Sequence, residues 1–452
     1  MRAESLREVE QEVTDLLSRL ISINTTNPPG NETAAAKFLA EDLEKDGFSC
    51  EVFESALGRG SVVTRLKSSG EKPSLLLLSH LDVVAANPKE WSVDPFGGVV
   101  KNGSVWGRGA LDMKGMTAIE AMTMKLLKRN NVKLKGDVIL AATADEEKGG
   151  EAGAGWLVRN YPEKVRADNV INEGGGTTIQ IGTKKIVTIN TAEKGILWFR
   201  VKAGGKPGHG SVPGGADNAI LRMNKVIEKL GNYRSRMTMI PTVKGLMTEV
   251  AKIDRLLQDG LAMLMADLEK GDQILDAIAQ KDSYMAEQLR AMLRMTITPT
   301  IVHGGVKENI IPSECEAVFD CRVLPGQTPE EALDTFKGLL KDVGLDKLDF
   351  EVIQASNPSE STINTPLYKL IVETIKEFNA DAIAAPILLT GGTDSRFFRA
   401  TGSICYGFHP VQADIPYSEM QKTIHGIDER ITINSLVYGT SILYRVVERF
   451  MT

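Results

Sequence analysis

Residues 74–82 read SLLLLSHLD, and this stretch decides the fold class that the sequence predicts. A continuous apolar run, without the alternation of a half-exposed strand, is typical of a strand buried on both faces of a sheet. Strand-like stretches at 49–54 and 61–66 precede it. A helical period at 114–129 and another apolar strand at 137–142 follow it. Strands that alternate with helices indicate an α/β fold with helices around a central sheet.

The chain is long enough for two domains, since it has 452 residues. A strand predicted at 188–202 opens a region whose elements run strand, helix, strand, strand, helix, strand, which is the ferredoxin-like α+β pattern. We therefore predict a catalytic domain formed by residues 1–192 and 356–452, interrupted by an inserted domain at 193–355. A helical, Met-rich addition at about 234–295 lengthens the inserted domain, and methionines at helical spacing are usually core or interface residues.

The composition argues against several classes of protein. The formal net charge of −6 lacks the basic excess that a nucleic-acid-binding protein needs, so we expect no nucleic-acid partner. No apolar run is long enough to span a membrane and no signal-peptide pattern is present, so we expect a cytoplasmic protein without a membrane partner. The four cysteines form no CxxC pair and fit reduced, buried thiols.

A histidine and two acids stand where predicted strands end. His80 and Asp82 follow directly on the apolar run, and ligand sites of open α/β sheets lie at such strand ends. An imidazole binds zinc through one ring nitrogen while an acceptor fixes the other, although a satisfied surface histidine would explain this pair better if it stood alone. Asp112, in WGRGALDMKG at 106–115, opens a helix, so it either bridges two cations or caps that helix.

Two further acidic motifs and a second histidine also stand at element boundaries. In ILAATADEEKGG, Glu146 and Glu147 follow an apolar strand, and such adjacent acids are either surface residues or offset by cations. Glu173 ends the strand-like piece of VINEGGG, and His425 lies in the polar turn KTIHGIDER. Two histidines and three carboxylates suit two zinc ions with a shared bridge, and Glu146 is placed beside them as a general base. The candidate ligands are His80, Asp112, Glu147, Glu173 and His425.

Six motifs follow one another in a recognisable order: HLDVV, WGRGALDMKG, ATADEEKGG, NEGGG, GHGSVP and HGIDER. In this combination the chain resembles the zinc-dependent aminoacylase, carboxypeptidase G and succinyl-diaminopimelate desuccinylase (acetylornithine deacetylase) family of metallopeptidases. The resemblance covers residues 80–430. It implies a zinc-peptidase catalytic domain with a central mixed sheet, interrupted by an inserted ferredoxin-like lid and dimerisation domain, so we expect a homodimer.

The resemblance implies a role for each candidate ligand. His80 and Glu173 match the private ligands of one zinc ion, whereas Glu147 and His425 match those of the other. Asp112 matches the aspartate that bridges both ions. Two Zn²⁺ are therefore expected, and Co²⁺ or Mn²⁺ would fit the same donors.

The resemblance also implies roles outside the ligand set. Glu146 matches the general base, and Asp82 matches the acid that orients His80. His209, in GKPGHGS, matches a histidine of the inserted domain that reaches the partner's active site in dimeric members and hydrogen-bonds the scissile carbonyl. A capped turn histidine is the structural alternative for His209.

Five further residues resemble substrate contacts of the family. Asn309 in ENIIP and Arg322 in FDCRVLPG match residues that grip the substrate carboxylate, for which the guanidinium fork is suited. Gly392, Thr393 and Arg396 lie in GGTDSR, which matches a pocket-lining loop. Surface ion pairing is the alternative for both arginines.

The chain departs from the family pattern at a few positions. Asp428 stands where many members have Asn, and His303 and His409 match no metal position. The expected function is hydrolysis of the amide bond of an N-acyl amino acid or small peptide by two metal ions. The alternatives are a dipeptidase or other exopeptidase of the same family and, more remotely, a metal-binding protein without catalysis.

Overall fold

The computed structural model describes residues 3–181, 184–253, 255–280 and 283–452. The chain forms two compact units. The first comprises the residues up to Thr191, Ser361–Ile387 and Thr393–Thr452. The second comprises Ala192–Glu360 and Leu388–Gly392.

The first stretch of the chain alternates helices with strands. The helices are α1 (Ala3–Ser22), α2 (Glu32–Glu44), α3 (Lys114–Arg129), α4 (Ala154–Asn160) and α5 (Pro162–Val165). The strands are β1 (Cys50–Glu54), β2 (Gly60–Leu66), β3 (Leu75–His80), β4 (Val99–Lys101), β5 (Ser104–Trp106), β6 (Val138–Thr143), β7 (Asn169–Asn172), β8 (Thr178–Ile181) and β9 (Lys184–Glu193).

The middle of the chain holds the α+β elements and a group of helices. The strands are β10 (Gly195–Gly204), β11 (Gly208–His209), β12 (Thr296–Gly304), β13 (Ile310–Ile311), β14 (Glu314–Val323), β15 (Leu348–Ser356) and β16 (Ser359–Glu360). The helices are α6 (Ala219–Gly231), α7 (Pro241–Val250), α8 (Arg255–Ala266), α9 (Gly271–Ala279), α10 (Ser283–Leu293), α11 (Pro329–Leu339) and α12 (Lys341–Gly344).

The last stretch returns to the α/β pattern. Its elements are α13 (Pro366–Phe378), β17 (Ala382–Leu389), α14 (Ser395–Arg399), β18 (Ile404–Gly407), α15 (Tyr417–Thr423), β19 (Arg430–Thr432) and α16 (Ile433–Met451). None of the helices that the structure describes is both long and apolar enough to cross a bilayer.

A mixed sheet forms the centre of the first unit, with strand order β1-β2-β6-β3-β7-β18-β9. β3 runs parallel to β6 and β7, and β18 runs parallel to β7, whereas β2 is antiparallel to β6. Leu75 and Leu77 face a core shared with α1, α3 and α16. Leu76 and Leu78 face a second core shared with α4. The predictions of a strand buried on both faces and of an α/β fold with a mixed sheet are therefore confirmed.

The parallel strands place their carboxyl ends at one edge of this sheet. β3 ends at His80, and the chain leaves β6 toward Glu146 and β7 toward Glu173. The fold therefore gathers side chains from three separate segments of the sequence.

The second unit contains an antiparallel sheet in the order β12-β14-β10-β15. In chain order this is the 4-1-3-2 arrangement of a ferredoxin-like fold, with α6 between the first two strands and α11 between the last two. One face of the sheet packs on these helices around three stacked rings. Phe199 lies 5.3 Å from Phe319 and 5.6 Å from Phe336, measured between ring centroids.

The single strand predicted at 188–202 is wrong, because the structure forms two strands, β9 and β10, that belong to different sheets. The break falls at Lys194, whose side chain is buried. Its ammonium group donates to the main-chain oxygens of Ala291 at 2.9 Å and Arg294 at 2.7 Å, at the end of α10. Between Ile189 and Ile196 only Ala192 is apolar, so the apolar alternation lapses at this break, and the single predicted strand runs across the lapse.

Leu77→Ala is expected to lower the free energy of unfolding by about 2–5 kcal/mol, since it removes a fully buried side chain from the strand that ends at His80. Chemical denaturation followed by circular dichroism measures this change. The matched control is Leu57→Ala, because the Leu57 side chain is 97% exposed. Equal effects of the two substitutions would contradict the assignment of Leu77 to the core.

Candidate metal centre

Two groups of metal-binding side chains lie at the carboxyl edge of the central sheet. His80, Asp112 and Glu173 form one group, and Asp112, Glu147 and His425 form the other. Within each group the potential ligand atoms all lie within 4.8 Å of one another. The structure thus brings together the five residues that the sequence nominated as ligands.

Asp112 belongs to both groups and presents one oxygen to each. Its Oδ1 lies 3.1 Å from Nε2 of His80, and its Oδ2 lies 3.1 Å from Nε2 of His425. On the outer sides, Glu173 Oε1 lies 3.8 Å from the His80 nitrogen, and Glu147 Oε2 lies 3.3 Å from the His425 nitrogen. A carboxylate that divides its two oxygens in this way has the geometry of a bridge.

The electrostatics of the cluster reflect buried acids facing two histidines. Burial, together with the negative charge of Glu173, raises the pKa of Glu146 well above its usual range. Burial likewise raises the pKa of Glu173. Burial opposes ionisation of Asp112 too, but hydrogen bonds from His425 and His80 dominate and lower its pKa. Hydrogen bonds to Asp112 and Glu147 raise the pKa of His425 to about 10.

Asp82 connects His80 to the turn that carries Glu146 and Glu147. Nδ1 of His80 lies 3.0 Å from the main-chain oxygen of Asp82 and 3.4 Å from its carboxylate. The same carboxylate accepts the backbone N–H groups of Glu146 and Glu147, each at 3.0 Å. The orienting role toward His80 stays a prediction, and the structure adds a contact with the backbone of the adjacent acids.

A buried polar network behind Asp82 was not foreseen from the sequence. Asn27 donates from its amide nitrogen to Asp82 at 2.8 Å and to Asp145 at 3.2 Å. Arg59 pairs with Asp145 and, at 2.9 Å, with the fully buried Glu32. Asp145 has a φ of 74°, so these partners hold a left-handed turn directly before Glu146. A turn-forming Asn-Pro-Pro-Gly sequence around Asn27 was the available signal, but its contacts are distant in the chain.

The predicted pocket loop begins at the boundary between the two units. Gly392 is the last residue of the second unit, and Thr393 is the first residue of the next segment of the first unit. Thr393 is buried and accepts, at 3.2 Å, a hydrogen bond from Asn172, the neighbour of Glu173. The guanidinium group of Arg396 donates to the main-chain oxygen of Gly149.

The remaining predicted residues lie in the second unit. β11 pairs with β13, which places His209 opposite Ile310, and Gly210 donates to the main-chain oxygen of Asn309 at 2.8 Å. Both His209 and Asn309 are exposed. Arg322 is half-buried on β14, where its Nε donates to Asp320 at 2.7 Å and its Nη2 at 3.1 Å. Arg322 therefore already holds a carboxylate two residues away on the same strand.

The two histidines that match no metal position lie outside both ligand groups. His303 is exposed on β12. His409 is buried, which lowers its pKa to about 4, and its Nε2 has no hydrogen-bond partner among the described residues.

Histidines and carboxylates that converge at the carboxyl edge of a mixed α/β sheet form the kind of site that metal-dependent hydrolases use. The chain belongs to Peptidase family M20/M25/M40, whose model matches residues 76–449. It is therefore a metal-dependent amidohydrolase that acts on peptide-type carbon–nitrogen bonds. The family resemblance of the sequence motifs is confirmed.

Known relatives and solved structures match most of the chain. It is 28% identical over 430 residues to the N-fatty-acyl-amino acid synthase/hydrolase PM20D1 of Xenopus tropicalis, covering 92% of this chain and 80% of the relative. It is 26% identical over 434 residues to Aminoacylase-1 of Sus scrofa, covering 94% and 92% of the two chains. The M20 family metallo-carboxypeptidase Sso-CP2 from Sulfolobus solfataricus has a TM-score of 0.72 at 20% identity, covering 97% and 99%. A dinuclear metal-binding M20 peptidase from Bacillus subtilis has a TM-score of 0.63 at 12% identity, covering 98% of both chains.

Asp82→Asn is expected to lower turnover about 10- to 100-fold, because an amide turns a donor toward one of the two backbone N–H groups that the carboxylate accepts. Steady-state kinetics of the metal-loaded protein measure the effect. The control is Asp168→Asn, since Asp168 accepts the backbone N–H and hydroxyl of Ser74 at the opposite end of β3. Unchanged turnover in Asp82→Asn would show that the turn holds its position without this carboxylate.

Proposed function

We propose that the protein hydrolyses the amide bond of an N-acyl amino acid or small peptide with two metal ions, which are Zn²⁺ in the native protein. The observation that carries this proposal is the division of the Asp112 carboxylate between the two histidine-containing groups. We assign His80 and Glu173 to one ion, Glu147 and His425 to the other, and Asp112 to both.

The donor chemistry of the cluster fits these ions. Imidazole nitrogens and carboxylate oxygens are ligands that zinc accepts, and Co²⁺ or Mn²⁺ would accept them as well. Oε1 of Glu147 is buried and has no hydrogen-bond partner in the described part of the chain, so it is available to coordinate a metal ion. Two zinc ions supply Lewis acidity, which makes water a stronger acid and a substrate carbonyl a better electrophile.

Glu146 is the proposed general base. It belongs to neither ligand group, yet its Oε2 lies 4.0 Å from the His80 nitrogen. A carboxylate that lies beside the ligand groups but belongs to neither of them is placed to accept a proton from water. Glu146 takes a proton from the attacking water, the water oxygen bonds to the carbonyl carbon, and the carbon–nitrogen bond breaks as Glu146 gives that proton to the leaving amine.

His209 is proposed to stabilise the negative charge that develops on the carbonyl oxygen. Its Nδ1 accepts the backbone N–H of Ser211 at 3.2 Å and lies 2.8 Å from the Ser211 hydroxyl, so Nε2 is the ring nitrogen left to face a substrate. A proton on Nε2 makes it an exposed donor, as an oxyanion contact requires. We propose that a homodimer forms through the second unit and that His209 serves the metal centre of the other copy.

The proposed substrate contacts are Asn309, Arg322, Gly392, Thr393 and Arg396. Arg322 pairs with Asp320 through two nitrogens of its guanidinium fork, so a substrate carboxylate would have to displace Asp320 to take this place. The names of the two sequence relatives, a fatty-acyl-amino acid hydrolase and an aminoacylase, favour an N-acyl amino acid over a peptide.

A matched panel of N-acyl amino acids and dipeptides tests the substrate class. The zinc-loaded protein is expected to hydrolyse an N-acyl amino acid fastest. Chelation should abolish hydrolysis, because the proposed activation of water requires the divalent ions. Mass spectrometry of the products measures both. Faster cleavage of dipeptides would establish an exopeptidase. If zinc supports turnover of neither class, the protein binds metal without this hydrolase activity.

Glu146→Ala is expected to retain two zinc ions per chain and to lower kcat about 100- to 10,000-fold, since it removes the proton acceptor but no ligand. Zinc content by elemental analysis and kcat on the best panel substrate are the two measurements. Wild-type turnover, or loss of an ion, would contradict the assignment of Glu146.

His209→Ala is expected to keep both zinc ions and lower kcat about 100- to 1,000-fold. His303→Ala is the control, because His303 is another exposed histidine of the second unit.

Co-expression of His209→Ala with Glu146→Ala tests the action across copies. Mixed dimers then hold one complete site each, and the mixture should recover about one quarter of wild-type activity. No recovery in a verified mixed dimer would show that His209 does not act across copies.

A further inference from the structure

A short strand pair joins the two loops that carry Asp112 and His425. β19 is antiparallel to β5, with Arg430 opposite Trp106. One residue further out, Gly107 donates its N–H to the main-chain oxygen of Glu429 at 2.9 Å. Both loops therefore leave from the same short ladder.

The carboxylate of Glu429 lies inside the loop that ends at Asp112, and its side chain is fully buried. Its Oε1 accepts the backbone N–H groups of Leu111 at 2.8 Å and Asp112 at 3.0 Å. Its Oε2 accepts the backbone N–H of Gly109 at 3.1 Å and Nη1 of Arg108 at 2.6 Å. Four donors thus converge on one carboxylate, and three of them are main-chain groups of the loop that carries Asp112.

Arg108 extends this arrangement to the other loop. Its guanidinium group lies over the ring of Trp91, 5.3 Å from the centroid, and it is almost completely buried. While Nη1 binds Glu429, Nη2 donates to the main-chain oxygen of Gly426 at 2.7 Å. Gly426 directly follows His425. The planar fork of an arginine is suited to holding two acceptors in fixed directions at once.

The two histidines differ in how much support their own elements give them. His80 ends a central strand of the sheet and has 2% of its side chain exposed. His425 lies in a loop, has 51% of its side chain exposed and adopts a φ of 56°, in the left-handed region. Placement of His425 relative to Asp112 must therefore come from contacts of its loop with other segments.

We infer that Glu429 and Arg108 are positioning residues that set the distance between Asp112 and His425, and that they thereby control the affinity of the second ligand group, Asp112, Glu147 and His425. This inference rests on the proposed function for the identity of the ligands. The first ligand group depends less on the pair, because His80 and Glu173 are held at the ends of β3 and β7. Neither Glu429 nor Arg108 touches the reacting atoms in this assignment.

Zinc titration of the metal-free protein in a buffered zinc series tests the inference. In Glu429→Gln the zinc of the second ligand group should bind about 10- to 100-fold more weakly, the usual effect of losing a contact behind a ligand. The zinc of the first group should lose less affinity, because only Asp112 is shared between the two groups. The Gln side chain cannot accept all four hydrogen bonds, because its NH₂ group is a donor and only its carbonyl oxygen accepts. Equal affinity to the wild type, or equal weakening of both zinc ions, would overturn the inference.

Two controls separate positioning from general damage to the fold. Asp137→Asn changes a carboxylate at the opposite end of β6, which accepts the N–H and hydroxyl of Ser68 at 2.9 Å each, and should leave both affinities unchanged. Asp42→Asn weakens the largely buried ion pair between Asp42 on α2 and Lys125 on α3. It should lower the melting temperature of the metal-free protein while leaving zinc binding unchanged.

A second variant covers the case in which Glu429→Gln does not fold. Arg108→Lys keeps the positive charge beside Glu429 but loses the fork that also reaches Gly426. It should fold and show the same selective weakening of the second zinc, and wild-type binding would overturn the inference.

His425→Ala distinguishes failure of this inference from failure of the proposed function. If His425→Ala binds only one zinc while the Glu429 and Arg108 variants bind two normally, the ligand assignment stands and the positioning role is wrong. If His425→Ala still binds two zinc ions with wild-type affinity, the ligand assignment itself is wrong.

Discussion

The parallel pairing of β3 with β6 and β7 is the constraint on which the rest of the site depends. Because parallel strands end on the same side of a sheet, this pairing collects His80, Glu146 and Glu173 from three distant segments. It also creates a difficulty, since burial of several carboxylates in one place is unfavourable without positive charge. The raised pKa values of Glu146 and Glu173 are a consequence of this burial and of the neighbouring negative charges.

The surrounding polar contacts fix the backbone of the loops that carry the acids, which the strands alone do not do. The residues that follow β6 and β5 are in loops, where backbone position is less determined than in a sheet. Asp82 accepts the backbone of the turn after β6, and Glu429 accepts the backbone of the loop after β5. In both places a buried carboxylate binds main-chain N–H groups of the segment that carries acids of the candidate metal centre. The same chemical device therefore supports both loops.

The sequence predicted what local patterns can encode. The apolar run of β3, the acids after β6 and the glycines near Glu173 each lie within one short segment, so the sequence alone indicates them. The structure brings these residues together, although their roles as ligands stay predictions. The network of Asn27 and Arg59 could not be predicted, because its contacts join residues 55 and 86 positions apart. The same holds for Glu429 and Arg108, which lie 321 positions apart.

The order of the site residues along the chain has a consequence for how the molecule is made. The first ligand group is complete once residue 173 has been synthesised, whereas the second requires His425. The whole second unit, Ala192–Glu360 and Leu388–Gly392, is synthesised between those two events. A nascent chain thus contains the residues of one group early and those of the other only after a separate compact unit has been synthesised. Because Asp112 belongs to both groups, the late segment adds its histidine to residues that are already present in the chain.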